Sequence, residues 1–311
     1  MRLDVDETKS LSETLQWPSS PGSPAPAARP VARRADRPLL HLLLLAVTLV
    51  TTTMAGARMA GVELTSMRAL LSGLPFSITL LAILLTHESG HYLMCRRHGI
   101  VASLPYVLPA PPFFLLGTFG AVIRVRSRFP DRRALFDMGA AGPWAGFVVA
   151  LVAMVIGLRL STVGAALPEG PTILLGDSLL TSFLARVVLH AEPDTVMLHP
   201  VAFAAWAGLL VTSLNLLPAG QLDGGHVLYA ARGRGQTLLP AVLLAVLVWL
   251  GATRSAFWLV WSGVAAAMLL MGHPRTINDA LPLGPARRLG AVASMILFLV
   301  TFVPEPIRIV S

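Results

Sequence analysis

Long apolar runs restrict this chain more than any other feature of its sequence. A helix needs about 20 residues to cross the roughly 30 Å hydrocarbon core of a bilayer. Seven runs approach that length and carry few charges: 38–57, 74–95, 135–158, 199–218, 237–253, 256–272 and 289–304. They predict an all-α polytopic membrane protein with about six to seven transmembrane helices, because the fifth and sixth runs are short and nearly contiguous.

The composition supports this class and excludes others. Hydrophobic residues make up 55% of the 311 residues and charged residues only 13%, which is unusual for a soluble domain. The net charge of +8 comes from arginines between the apolar runs. Since no basic stripe is interleaved with aromatic residues, we expect no nucleic-acid partner. The lone cysteine, Cys95, excludes an intrachain disulfide.

The basic residues also predict an orientation. With the N-terminus in the cytosol, 18 of the 24 Lys and Arg residues fall on the cytosolic side, as the positive-inside rule requires. The bias toward 23 Arg and 1 Lys is typical of GC-rich bacterial genomes. We therefore expect a multi-pass integral protein of a bacterial cytoplasmic membrane.

Residues 1–37 differ from the rest of the chain. They are polar and rich in Pro, Ser and Ala, a composition that cannot bury enough apolar surface to fold. Acidic residues as early as Asp4 and Asp6 do not fit a signal or transit peptide. The sequence predicts a disordered cytosolic tail at 1–37 and a transmembrane domain at 38–311.

The second run carries the residues that point to chemistry, His87-Glu88-Ser89-Gly90-His91. Positions i and i+4 share one face of a helix, so both imidazoles can bind one metal ion while Glu88 lies beside them to activate water. Ionisable groups inside an apolar helix are costly unless something compensates. Metal binding is the natural compensation, and a hydrogen-bonded polar cluster is the alternative.

A catalytic zinc needs a third protein ligand and one open position. Cys95 lies about 12 Å along the helix axis from His87, too far to share the ion. Asp223 is the remaining acidic residue at a similar depth, at the cytosolic end of the fourth run. Pro218 should end that helix, and flanking glycines permit a tight turn. His226 is the rival ligand.

Two complete motifs thus lie at matching depth, at 87–91 and, as Asn-Leu-Leu-Pro-Ala-Gly-Gln-Leu-Asp-Gly, at 215–224. This pair resembles the site-2 protease family of intramembrane zinc metalloproteases, which combines H-E-x-x-H with N-x-x-P-x-x-x-L-D-G on a later helix. Weaker matches are the stretches 117–123 and 140–143, and the likeness covers roughly residues 75–235.

The resemblance implies roles for particular residues. One zinc ion per chain would be held by His87, His91 and Asp223. Glu88 would be the catalytic carboxylate, and Asn215 would lie near the substrate or the oxyanion.

The resemblance also implies a minimal enzyme with its catalytic core at about 75–235 and without a PDZ or C-terminal regulatory domain. The outer loop 159–198 is too short for a PDZ fold. The expected activity is hydrolysis of a peptide bond in or near a transmembrane segment. The expected partners are the lipid bilayer, a single-pass membrane protein as substrate, and an upstream site-1-type protease that cuts first.

Three other classes share part of the pattern. A prenyl-protein-type membrane zinc protease takes a downstream Glu as third ligand, and no Glu follows here in a later run before Glu305. A diiron lipid desaturase or hydroxylase needs several histidine clusters, whereas the other histidines here are scattered. A non-proteolytic metal transporter should show polar residues tracking across the membrane, but here they gather on one side.

Residues 100–129 break the helical pattern with four prolines, and the stretch Gly117–Arg126 alternates like a strand. Irregular backbone at membrane depth survives only inside protein or beside a wet cavity. We predict a re-entrant β-hairpin or loop next to the active site, with a simple cytosolic loop as the alternative. Its strand would hold the unwound substrate as an added strand, through Phe119, Gly120, Ala121, Val122 and Ile123.

Overall fold

The structure, a computed structural model, describes residues 37–62, 66–111, 113–164, 172–233, 238–273 and 276–310. The tail that the sequence predicts to be disordered lies outside these residues up to position 36. Within them the helices are α1 Pro38–Met59, α2 Met67–Leu71, α3 Leu74–Arg97, α4 Arg132–Arg159, α5 Leu179–Leu189, α6 Pro200–Asn215, α7 Asp223–Arg232, α8 Leu238–Thr253, α9 Phe257–Met271 and α10 Pro285–Thr301. The strands are β1 Tyr106–Pro109, β2 Thr118–Val122, β3 Thr162–Val163, β4 Thr172–Leu175, β5 Val196–Met197 and β6 Ile307–Val310. They pair antiparallel as β1 with β2, β3 with β5 and β4 with β6.

Three helical stretches of the described chain are long and apolar enough to cross a membrane: α1, the stretch Met67–Arg97 that comprises α2 and α3, and α4. Helices α5, α6, α8 and α9 are apolar but have only 10–17 residues, and α8 and α9 pack together as a helical hairpin. The predicted class, a mostly helical multi-pass membrane protein, is confirmed. The count of six to seven spans stays a prediction.

The helices that build the site start and stop at clear local signals. Pro75 lies in the first turn of α3, where its missing N–H costs no hydrogen bond. Beyond the other end of α3, Gly99 adopts a φ of 67°, the left-handed conformation that terminates helices. The Asp131 carboxylate caps α4 by accepting from the N–H groups of Arg133 and Ala134.

Helices α3, α4 and α6 pack on one another and form the core of the membrane domain. Small residues let their backbones approach closely. A Cβ at Gly90 of α3 would lie 2.5 Å from the carbonyl oxygen of Ala141 in α4, and one at Gly157 of α4 would lie 2.3 Å from the backbone nitrogen of Ala202 in α6. In lipid the hydrophobic effect does not drive helices together, so the van der Waals contacts of such close packing hold them instead.

The alternating stretch forms one strand of a β-hairpin. Strands β1 and β2 pair in the register Tyr106↔Val122 and Leu108↔Gly120, with an irregularity before Pro109. The strand character predicted for this segment is therefore confirmed.

The hairpin packs along α1. Its contacts begin at His41, whose Nδ1 hydrogen-bonds the carbonyl oxygen of Pro105 at 3.0 Å. They continue to Thr51, whose hydroxyl donates to the carbonyl oxygen of Gly117 at 2.7 Å. The stretch from 41 to 51 corresponds to about 15 Å along the helix axis. Whether the hairpin enters the membrane stays a prediction.

The region 159–198, which the sequence leaves as an outer loop, contains helix α5. Its N-terminus is a capping box, in which Ser178 accepts from the backbone N–H of Thr181 and donates its own backbone N–H to the Thr181 hydroxyl. Leu184 and Ala185 are buried on the inner face of the helix. This region is thus partly structured.

Candidate metal centre

Helix α3 buries three polar side chains at its centre. His87, Glu88 and His91 are 3%, 7% and 4% exposed, and each offers a ligand atom within 4.8 Å of the others. The i, i+4 spacing brings the two imidazoles onto one face, with ring centroids 4.9 Å apart. The structure therefore brings together the motif residues of the second run.

A tight turn between α6 and α7 carries Asp223 to this cluster. Helix α6 ends at Asn215, and the chain turns through Gly220, whose φ is 50°. At Gly224 a Cβ would lie 1.9 Å from the carbonyl oxygen of Leu216, so the turn closes only without a side chain there. Asp223 is the first residue of α7, a helix that the sequence pattern did not reveal.

The carboxylate of Asp223 lies at equal distance from both imidazoles. Its Oδ2 is 3.3 Å from Nε2 of His87 and 3.3 Å from Nε2 of His91. Zinc bonds of about 2.0–2.2 Å in a tetrahedral site hold neighbouring ligand atoms about 3.3 Å apart. These two distances and the chemistry of the three donors thus both fit a zinc ion.

Helix α4 orients the imidazoles. Nδ1 of His91 donates to the carbonyl oxygen of Met138 at 2.7 Å, which leaves the lone pair on Nε2 for a metal. Gly142 and Gly146 face the rings: a Cβ at Gly142 would lie 2.1 Å from Nε2 of His91, and one at Gly146 would lie 3.0 Å from Cβ of His87. The only sequence signal for this role was the small-residue stretch that opens the third run.

Two further groups border the cluster. The side-chain amide nitrogen of Asn215 lies 3.2 Å from Nε2 of His87. Ile123, just beyond β2, lies near enough to Glu88 for its backbone N–H to interact with the carboxylate. The predicted substrate or oxyanion residue and the end of the predicted substrate strand therefore both reach the metal-motif residues.

The other predicted strand residues lie in β2. Phe119 is 56% exposed and Val122 is 48% exposed, whereas Ala121 packs against the apolar core. Gly120 has a φ of 99°, a conformation that side chains disfavour.

His226, the rival ligand, has a different partner. Its Nδ1 lies 2.7 Å from Nε2 of His273, whose ring stacks on Tyr229 at 4.1 Å. The Tyr229 hydroxyl donates to Asp279 at 2.8 Å. The segment around His273 thus folds back on α7, a contact across 47 residues that no local pattern could predict.

The fold and the site together define a class of protein. Nitrogen and carboxylate donors with the spacing of a zinc site lie beside a second carboxylate, that of Glu88, and the helices around them are apolar enough for a bilayer. This combination is that of a membrane-embedded metalloprotease.

Comparison with known proteins identifies the family. The model of peptidase family M50 matches residues 75–250, which is more than half of the chain. The chain belongs to this family, the site-2 proteases, whose members are zinc metalloproteases. The family that the paired motifs predict is confirmed.

The relatives include chloroplastic proteins of plants. Probable zinc metalloprotease EGY1 of Oryza sativa subsp. japonica is 34% identical over 241 residues, which cover 75% of this chain and 41% of that protein. EGY1 of Arabidopsis thaliana is 32% identical over 241 residues, which cover 75% of this chain and 43% of that protein. EGY2 of Arabidopsis thaliana is 32% identical over 172 residues, or 54% and 30% of the respective chains.

This chain therefore spans less than half the length of these relatives. Because they are chloroplastic, they do not support the predicted bacterial cytoplasmic membrane. No solved structure matches the chain.

Proposed function

We propose that the chain is an intramembrane zinc metalloprotease that hydrolyses a peptide bond in or near a transmembrane segment of a membrane protein. The observation that carries the proposal is the equal 3.3 Å spacing of Asp223 Oδ2 from the two imidazole nitrogens. His87, His91 and Asp223 would hold one zinc ion per chain. Three protein ligands leave one position open, as catalysis requires.

Glu88 acts as the general base. Zinc bound at this site supplies a Lewis acid that polarises the scissile carbonyl and makes a water molecule more acidic. Glu88 takes the proton from that water and delivers it to the leaving amine. Asn215, whose amide nitrogen lies 3.2 Å from Nε2 of His87, would donate a hydrogen bond to the developing oxyanion.

The site must open to the cytosol because hydrolysis consumes water. Arg96 and Arg97 end α3, and a rise of about 1.5 Å per residue puts the motif roughly 7–14 Å below that end. The Asp223 side chain keeps 15% of its surface exposed, which supports an aqueous path. The start of α1 at Pro38 would lie on the same, cytosolic side.

Among the described residues, β2 pairs with β1 and with no other strand, so its second edge can bind an extended peptide. Ser103 and Arg124 face each other in the hairpin, since the Ser103 N–H donates to the Arg124 carbonyl at 3.0 Å and the Arg124 N–H donates to the Ser103 hydroxyl at 2.9 Å. Backbone groups alternate in direction along a strand. Val122 therefore faces β1, whereas Ala121 and Ile123 face away from it.

This open edge runs to the catalytic carboxylate. The outward N–H of Ile123 interacts with Glu88, so a peptide added beside Ala121 would lead toward the zinc ligands. An unwound peptide in the membrane would otherwise leave polar groups unpaired, at about 1–3 kcal/mol each. We infer that the hairpin is re-entrant, because its contacts follow the membrane-spanning helix α1.

The substrate class follows from the family resemblance. It would be a single-pass membrane protein, and a site-1-type protease would shorten it first. A transmembrane helix hides its carbonyl groups in internal hydrogen bonds, so Gly or Pro near the cut site should speed cleavage.

Reconstitution of the full chain in vesicles with a panel of single-pass helices tests the proposal. We expect the parent to cleave at least one helix, and Glu88→Gln to retain zinc without cleaving. Glu192→Gln is the matched control, because Glu192 is exposed and pairs only with Arg186 among the described residues. Cleavage by Glu88→Gln at the parent rate would contradict the proposal.

A further inference from the structure

A groove lies at the cytosolic end of three helices, apart from the metal ligands. It has a volume of about 530 Å³ and is lined by the last turn of α3, the first half of α4 and the start of α10. Its apolar walls include Met94, Phe136 and Trp144, and its charged residues are Arg97, Asp137 and Arg287.

The charges in the groove do not cancel. Nε and Nη2 of Arg287 donate to the two carboxylate oxygens of Asp137, both at 2.8 Å, and His98 Nε2 lies 2.9 Å from the same carboxylate. The negative charge of Asp137 is therefore neutralised by its partners, and the Arg287 side chain is fixed in place. Arg97 is exposed and has no salt-bridge partner within the described part of the chain. The groove thus keeps an excess of positive charge.

Charge and apolar surface are ordered along the membrane axis. Arg97 lies in the last turn of α3 and Arg287 in the first turn of α10, the helix ends that the positive-inside rule would place in the cytosol. One turn deeper on α3, Leu93 is 57% exposed, and Leu289 on α10 is 72% exposed. Both side chains would face lipid in the proposed membrane orientation. A phospholipid has the same order, with a charged headgroup above apolar chains.

We propose that this groove binds an anionic phospholipid of the cytosolic leaflet. Arg97 and the unused N–H groups of Arg287 hold the headgroup phosphate, since basic pockets between transmembrane helices recognise such headgroups. The acyl chains lie against Met94 and Trp144, whose indole N–H is held by the Ser294 hydroxyl at 3.0 Å.

The size of the groove favours a lipid headgroup over a whole substrate helix as its occupant. A helix about 10 Å across fills about 800 Å³ for every 10 Å of its length. That volume exceeds the groove, whereas a headgroup and its first methylenes fit.

The bound lipid would contact the wall of the metal centre. The floor of the groove is the turn of α4 that carries Ala140 and Ala141. The same turn packs its Ala141 carbonyl against Gly90 and holds His91 through the Met138 carbonyl. The occupant would therefore support the packing of α4 on α3.

Native mass spectrometry of the delipidated full chain in detergent tests the proposal. Phosphatidylglycerol and phosphatidylcholine of the same chain length are the probes. We expect the parent to retain phosphatidylglycerol preferentially. Arg97→Gln should weaken that adduct about fivefold, the factor that about 1 kcal/mol per basic residue corresponds to.

Arg96→Gln is the matched control, because it removes the same charge one residue away from Arg97. The Arg96 guanidinium lies over the Tyr92 ring at 5.9 Å and does not line the groove. This variant should keep the parent's preference. If both variants lose the phosphatidylglycerol adduct equally, the lipid is held by general surface attraction and the proposal is overturned.

A second variant tests the cavity without changing charge. Ala286 is exposed and lines the groove, so Ala286→Trp should fill it and abolish the selective adduct while zinc content and melting temperature stay unchanged. If Ala286→Trp still binds phosphatidylglycerol selectively, the groove is not the binding site and the proposal is overturned. Competition by millimolar inorganic phosphate would reassign it to a free anion, and competition by a single-pass helix would reassign it to substrate.

Discussion

A single methyl group at Gly142 tests the metal centre most sharply. A Cβ there would lie 2.1 Å from Nε2 and 2.4 Å from Cε1 of His91, whereas ordinary contact begins at 3.4 Å. Gly142→Ala therefore needs a displacement of about 1.3 Å, several times the roughly 0.2 Å tolerance of a ligand distance. The ring cannot turn aside freely, because its Nδ1 is bound to the Met138 carbonyl.

We expect Gly142→Ala to lower zinc affinity by at least about 100-fold, the upper end of what supporting residues contribute. Overpacking should also reduce stability by about 1–3 kcal/mol. Zinc content and competition with a chelator measure the first effect, and thermal melting measures the second. Gly263→Ala in α9 is the control, since a Cβ there meets nothing within 4 Å.

His91→Ala separates the loss of a ligand from misfolding, because it removes the ring without creating a clash. It should lose zinc and keep its fold. If Gly142→Ala binds zinc and cleaves substrate as well as the parent, the close packing of α4 on the metal-motif helix is wrong.

The remaining predictions concern the ligands and the substrate strand. Asp223→Ala should lower zinc affinity by several orders of magnitude and His226→Ala far less, because three protein ligands suffice; equilibrium dialysis measures both, and the reverse ranking would overturn the ligand assignment. Chelation should abolish cleavage and lower the melting temperature, and added zinc should restore both; cleavage that survives complete metal removal would exclude zinc chemistry. Ala121→Pro deletes an N–H on the open edge of β2 and should slow cleavage with zinc content intact, whereas Val122→Pro should loosen the hairpin itself. Normal cleavage by Ala121→Pro would mean that substrate is held elsewhere.

The local part of the site could be predicted from the sequence. An i, i+4 spacing places His87 and His91 on one helical face whatever the rest of the chain does. The alternation in 117–126 likewise predicted a strand, which the structure pairs as β2. In both cases the backbone period alone determines which side chains share a face.

The remainder depends on contacts between distant segments. The sequence ended the fourth run at Pro218, but α6 stops at Asn215 and a new helix begins at Asp223. The turn between them is set by close approach of Gly224 to Leu216. The partner of His226 is set by a segment 47 residues away. Periodicity carries no information about such packing.

The contribution of α4 explains why two complete motifs are not sufficient for a site. The motif on α3 supplies imidazoles and the turn before α7 supplies a carboxylate, but neither controls how the rings are aimed. That control lies in α4, where the Met138 carbonyl fixes one tautomer and the absence of a side chain at Gly142 leaves room for the ring. A chain with both motifs and a bulky residue at this position would keep every ligand and still misplace one of them. The small residues that open the third run are therefore as necessary to the metal centre as the ligands.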